Sequence, residues 1–142
     1  MTSDVVVDSC VAAKWVISES DSAQADRVVH VVTAKCGRLL GLDHAFSEVA
    51  NAIWKRFHRN LMTPAEAGKA LDDFFAIPLQ MEGSKPLLKR ALEIAMQYDR
   101  ALYDAAFVAL VEHLGVQGVT SDEPLYNAVH AAYPQIMLLR NW

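Results

Sequence analysis

The first apolar run of the chain, Val5-Val6-Val7, is β-branched throughout and carries no polar residue on either face. An extended segment points successive side chains to opposite sides, so a run apolar on both faces must be covered on both. A parallel sheet packed between two helical layers meets that condition, whereas a sheet with one wet face does not. The run stops on an acid, Asp8. Burying a charge at a strand end costs desolvation energy, so its position asks for an explanation.

The rest of the chain alternates in the way such a sheet requires. From Val11 the pattern turns helical, and 18–22 is a polar connection. A second helix is predicted over 23–34 with Val28, Val29 and Val32 inward, closed at Cys36-Gly37 because glycine readily takes the conformation of a helix end. A strand over 38–42 follows. Over 44–58, Phe46, Val49, Ala50, Ile53, Trp54 and Phe57 recur at spacings of three and four, which gives a helix one apolar face. Thr63-Pro64-Ala65-Glu66 has an N-cap threonine, proline at the first helical position and a glutamate to close the capping box. That helix runs to about residue 75, and Pro78 consigns a short strand over 77–81 to a sheet edge. Helices are predicted over 86–98 and 102–114, the second stopped by Gly115, then a strand over 118–120, a helix over 124–132 and a strand over 136–139. Strands alternating with helices define an α/β chain, here a three-layer α/β/α fold around a central, mainly parallel sheet. Its 142 residues suit a single domain, 1–142.

Composition narrows the setting. The hydrophobic fraction of 53% is spread along the chain, with no uninterrupted stretch long enough to cross a membrane. Met1-Thr2-Ser3-Asp4 lacks the basic region of a signal peptide, so a cytoplasmic location is expected. Cys10 and Cys36 form no disulfide framework and are read as reduced thiols. A net charge of −4 does not suggest a nucleic-acid partner, but the sum hides two basic clusters, Lys55-Arg56 with His58-Arg59, and Lys85 with Lys89-Arg90.

Four acids occupy comparable positions. Asp8 follows the first strand, Glu48 lies on the helix after the second, Asp104 opens the apolar stretch from Ala105 to Val111, and Asp122 follows Gly118-Val119-Thr120-Ser121. In a parallel α/β sheet, ligands collect beyond the carboxyl ends of the strands. Each acid also has a plain structural reading. Asp8 and Asp122 serve as turn formers or caps, Asp104 gains from the helix dipole, and Glu48 sits on a solvated face. Four such placements along one chain point instead to a cluster. Glu48 and Asn51 share a helix stripe, so Asn51 is placed to donate to the acid. Glu123 stands beside Asp122 as a substitute ligand, and Asp99 is set aside as a surface or loop acid. Gathered carboxylates raise one another's pKa unless a cation neutralises them. Their hard oxygens suit Mg²⁺, with Mn²⁺ as a substitute, and such an ion acidifies water and offsets charge on a phosphate.

Other chemistries find no support. The chain has no phosphate-binding G-x-x-x-x-G-K-[ST] loop, no G-x-G-x-x-G and no G-x-S-x-G. His30, His44, His58, His113 and His130 show no zinc spacing and are read as surface or packing residues. Neither Ser47 nor Cys10 has a histidine nearby in sequence to activate it as a nucleophile.

Taken in order, these segments resemble a PIN-domain ribonuclease, and specifically the VapC-type toxins of toxin–antitoxin pairs. The resemblance runs through Val6-Val7-Asp8-Ser9-Cys10-Val11, Ser47-Glu48-Val49-Ala50-Asn51-Ala52, Leu61-Met62-Thr63-Pro64-Ala65-Glu66, Leu102-Tyr103-Asp104-Ala105-Ala106-Phe107 and Val119-Thr120-Ser121-Asp122. It implies a Mg²⁺-dependent endoribonuclease with Asp8, Glu48, Asp104 and Asp122 as catalytic and metal-binding acids, Asp8 and Asp104 foremost. Thr120 would support the site by hydrogen bonding. A homodimer, an RNA substrate and a VapB-like antitoxin that blocks the pocket are also implied. Where the family commonly has serine two residues after its first acid, this chain has Cys10, a weaker hydrogen-bonding group that lowers the metal affinity expected, with Ser9 to compensate. Lys14, Lys55, Arg56, Arg59 and Arg100 are candidates to contact phosphate. Two rival readings remain at this stage: a housekeeping PIN nuclease without an antitoxin, and a non-catalytic module that binds RNA or a partner.

Overall fold

The computed structural model describes residues 3–142. Five strands form one all-parallel sheet in the order β3-β2-β1-β4-β5. They are β1 (Val5–Val7), β2 (Leu39–Leu42), β3 (Leu79–Glu82), β4 (Gln117–Thr120) and β5 (Ile136–Leu138). The helices are α1 (Ser9–Ala12), α2 (Ser22–Ala34), α3 (Asp43–His58), α4 (Pro64–Ala76), α5 (Leu88–Tyr98), α6 (Leu102–Leu114) and α7 (Glu123–Val129).

The chain builds outward from β1 through β2 to β3, then crosses back to lay β4 on the other side of β1. The direction of winding therefore reverses between β1 and β4. A crevice opens beyond the carboxyl ends of adjacent strands at such a reversal. Val7 is in register with Val119, which brings Asp8 and Thr120 to the rim of that crevice.

The apolar β1 run divides as its pleat demands. Val6 packs into a core with α5, α6 and α7, while Val5 and Val7 face a second core formed with α1 to α4. In α6, every residue from Ala105 to Val111 is buried, as its apolar circumference requires. Gly118 lets this helix lie close on β4: a Cβ there would come within 2.6 Å of Val111 Cγ2 and 3.0 Å of Phe107. Asp104 is thereby held at a fixed height above the sheet.

The Thr63 capping box forms with both of its bonds, and β3 is an edge strand as Pro78 requires. Three local expectations need correction. Cys36, not Gly37, takes the left-handed turn after α2, with φ of 55°. Glycine is needed at 37 for a different reason, since a Cβ would lie 2.2 Å from the Ser3 carbonyl oxygen. In α3, Ala45, Val49 and Ile53 are buried, but Trp54 and Phe57 remain 53% and 42% exposed. Those rings wall an apolar groove between α3 and α4 and do not enter the core. In α2, Ala25 is buried with Val28 and Val32, while Val29 is only half-buried.

Candidate active site: an acidic crevice at the strand ends

Asp8 terminates β1 and caps α1. Its Oδ1 accepts from the Ser9 N–H at 2.9 Å, and its Oδ2 accepts from the Thr120 hydroxyl at 2.7 Å and the Cys10 thiol at 3.4 Å. Burial pushes this carboxyl up to about 6; the Thr120 bond opposes the shift and the charge of Asp104 adds to it. Burial likewise drives the Cys10 thiol up to about 12, so it stays protonated and able to donate. The Ser121 N–H donates to the same sulfur at 3.3 Å. Cys10 thus fills the supporting place the family gives to serine, and its bond to Asp8 is present.

Thr120, fully buried at the end of β4, joins two acids. While its hydroxyl donates to Asp8, the oxygen accepts from the Asp122 N–H at 3.1 Å. Asp122 in turn caps α7 through Oδ1, which accepts from the Leu125 N–H at 3.0 Å. Its neighbour Glu123 is turned to another partner. Both Glu123 oxygens are engaged by Arg140 at 3.1 and 3.2 Å.

Glu48 is gripped from two sides. Ser9 Oγ donates to Oε2 at 2.9 Å, and His44 Nδ1 lies 2.7 Å from Oε1. Asn51 does not take the part expected of it: it is exposed and makes no side-chain hydrogen bond among the described residues. Because α3 begins at the strand edge, the residue one turn before Glu48 reaches the crevice and the one after it does not. The same-face spacing of His44 and Glu48 was the available signal, since residues four apart share a helix side. Asp43, also unforeseen, accepts from the backbone and hydroxyl of Ser84, each at 3.1 Å, and ties the segment after β3 to the start of α3. Those bonds, the backbone one foremost, hold its carboxyl below the usual range despite partial burial.

Asp104 differs from the other three. The N-cap of α6 is Ala101, and Asp104 makes no side-chain hydrogen bond among the described residues. Its carboxyl is raised by burial, then by the charges of Asp122 and Glu48, with Arg100 and His44 pulling the other way. Asp104 also acts on Asp8. It is the acid linked by charge to each of the other three, and both its oxygens are free of protein donors among the described residues. Among the described residues, no three His, Cys, Asp or Glu side chains close tightly enough to hold an ion as they stand. The hydrogen bonds on Asp8, Glu48 and Asp122 hold those carboxylates around Asp104 at electrostatic range. The donor set is nonetheless hard oxygen, and burial and neighbouring acid charge raise Asp8 and Asp104, which fits Mg²⁺ or Mn²⁺.

The basic candidates divide. Arg100 acts on Asp104, with its Nε fixed by the carbonyls of Asp99 at 2.7 Å and Tyr98 at 3.3 Å. Lys14 is committed to Glu19 and Asp21 at 2.5 and 2.9 Å, and Arg56 lies 3.7 Å from Glu19. Lys55, Arg56 and Arg59 line a separate hollow with Ile17, Glu19, Ala52 and Leu61, about two turns along α3 from Glu48.

An α/β/α fold with acids gathered at the reversal of its parallel sheet defines the PIN-like class. The family model described as PIN domain matches residues 5–130, and the chain belongs to that family. It is 35% identical over 123 residues to Ribonuclease VapC3 of Pyrobaculum aerophilum, covering 85% of this chain and 91% of that one. A crystal structure from the same organism shares its fold with a TM-score of 0.74 at 20% identity, covering 99% of this chain and 94% of the other. VapC20 of Mycobacterium tuberculosis, a Sarcin-Ricin loop cleaving toxin, is similar at a TM-score of 0.68 and 17% identity, covering 89% and 95%.

Proposed function

We propose that this protein is a metal-dependent endoribonuclease and the toxin of a toxin–antitoxin pair. The observation that carries the reading is Asp104, whose oxygens have no protein donor among the described residues while Asp8, Glu48 and Asp122 act on it or respond to it. Its relative is a VapC ribonuclease. Asp104 and Asp8 would hold a Mg²⁺ or Mn²⁺ ion with Glu48 and Asp122 completing the set. When bound, such an ion supplies charge neutralisation at phosphate and a more acidic water. Thr120, Cys10 and Ser9 keep Asp8 and Glu48 in place by the bonds described, so the acids need little reorganisation. Arg100, next to the acids, is the cation best placed to meet an RNA phosphate.

A toxin–antitoxin complex from Klebsiella pneumoniae shares the fold at a TM-score of 0.64 and 12% identity, covering 96% of this chain and 98% of that one. On this chain the seat for a VapB-like antitoxin is the groove lined by Ile53, Trp54 and Phe57 of α3 and Pro64, Ala67 and Leu71 of α4, about 290 Å³ in volume. The stripe Leu88, Leu92 and Met96 on α5, exposed at spacings of four, is the surface for a homodimer. No helix among the described residues is long and apolar enough to cross a membrane, which is consistent with a cytoplasmic toxin.

The reading is tested by brief expression followed by sequencing of RNA cut ends, comparing the native chain with Asp104→Asn. Discrete cuts that vanish in the variant support it. Growth arrest without new RNA ends would remove the nuclease assignment.

A further inference from the structure

Among the described residues a single buried side-chain polar atom has no hydrogen-bond partner, and it is Nε2 of His44. His44 is the second residue of α3, at the end of the helix that opens onto the acids. Its Nδ1 lies 2.7 Å from Glu48 Oε1. A carboxylate accepts, so the shared proton belongs to Nδ1, and in the neutral ring Nε2 is left as a bare lone pair. The Tyr103 ring meets the imidazole edge-on, with centroids 5.1 Å apart and an interplanar angle of 65°, which limits rotation of the ring.

Glu48 is exposed and carries a long side chain with several accessible rotamers, yet both its oxygens are held, by Ser9 from α1 and His44 from α3.

We propose that His44 is a positioning residue for the acidic site: Nδ1–H, together with Ser9, holds the Glu48 carboxylate toward Asp104, and the buried Nε2 gives the ring no competing polar tie. The inference rests on the nuclease reading and adds to it a residue outside the four acids. His44 acts through Glu48 and touches no reacting atom.

The test uses the full chain with ¹⁵N-labelled histidine and three variants. In His44→Asn an amide donor remains near the place of Nδ1; in His44→Gln it moves to the place of Nε2; His44→Phe keeps the ring and removes both. The imidazole ¹⁵N shifts should report the Nδ1-protonated tautomer. His44→Phe should weaken Mn²⁺ binding, measured by calorimetry, and lower kcat on RNA by about 10- to 100-fold, the usual cost of losing a group that orients a metal ligand, with KM little changed. His44→Asn should recover most of both losses and His44→Gln little. Matching thermal unfolding of the Phe and Asn variants separates positioning from stability. An Nε2-protonated ring, Mn²⁺ affinity unchanged in His44→Phe, or better rescue by Gln than by Asn would overturn the proposal. The tautomer and Mn²⁺ measurements need no turnover, so an inactive native chain would count against the nuclease reading alone.

Discussion

Thr120 and Asp8, 112 residues apart in the chain, share a hydrogen bond of 2.7 Å, and the same threonine oxygen accepts from the backbone of Asp122 at 3.1 Å. One buried hydroxyl therefore couples the ends of β1 and β4 and sets the spacing of two acids. Thr120→Val keeps the shape and removes both bonds. It should cost about 1–3 kcal/mol, because the Asp8 carboxylate and the Asp122 N–H each lose a partner. Urea unfolding measures this, and Thr120→Ser should recover most of the loss.

Asp8 itself is kept at the expense of stability. Its carboxyl sits at about 6 in the folded protein against 3.8 for an unperturbed aspartate. A raised carboxyl binds its proton more readily when folded, so this contribution to stability rises as pH falls from above 6 to below 4. At pH 7.5 the ionised group costs on the order of 3 kcal/mol. Asp8→Asn should therefore stabilise the cation-free protein by about 1–3 kcal/mol at that pH, with the gap closing by about pH 4. Denaturation curves at the two pH values decide it.

If a divalent ion relieves that cost, it must also stabilise the fold. Mn²⁺ at a hundred times its Kd should add about 2.7 kcal/mol and raise Tm, and excess chelator should remove the gain. The effect should fade as pH drops through 6, where Asp8 takes up its proton in competition with the ion. Asp104→Asn, which disturbs no side-chain hydrogen bond among the described residues, should fold normally and lose most of the response.

Gly118 connects the sheet to the acid on α6. Gly118→Ala would place a methyl group 2.6 Å from Val111 Cγ2, inside a packed core where neither side can yield cheaply. Overpacking of this kind costs about 1–3 kcal/mol and moves helices apart, so thermal unfolding should fall and Mn²⁺ affinity with it.

The α5 stripe offers a separate check. Leu92→Glu places a charge amid Leu88 and Met96 and should abolish the proposed dimer in sedimentation, with little change in Tm at high dilution.

Much of the architecture was legible because it follows from local rules. The β-branched run before Asp8 demanded two covered faces, and the all-apolar circumference of α6 demanded burial; both are met. The Thr63 box and the edge placement enforced by Pro78 needed only neighbouring residues. The positions of the acids at strand and helix ends were readable for the same reason. What the sequence could not reveal depended on packing between distant segments. Trp54 and Phe57 belong to the apolar pattern of α3, but α4 meets that helix only part way round, and the rings wall a groove. Asn51 and His44 flank Glu48 almost symmetrically in sequence, and only the start of α3 at the sheet edge decides which side faces the crevice. Lys14 looked free until the turn containing Glu19 and Asp21 folded over it.

The proposed role of Asp104, with the acids around it, is to hold a cation and direct cleavage of RNA. Its most direct test is a time course of purified protein on end-labelled RNA in Mn²⁺, with native chain and Asp104→Asn side by side and a chelated control. Discrete fragments are expected from the native chain, lost on chelation and formed at least 100-fold more slowly by the variant, a loss of about 2.7 kcal/mol in transition-state stabilisation. Equal cleavage by the variant, or cleavage that persists in chelator, would contradict it.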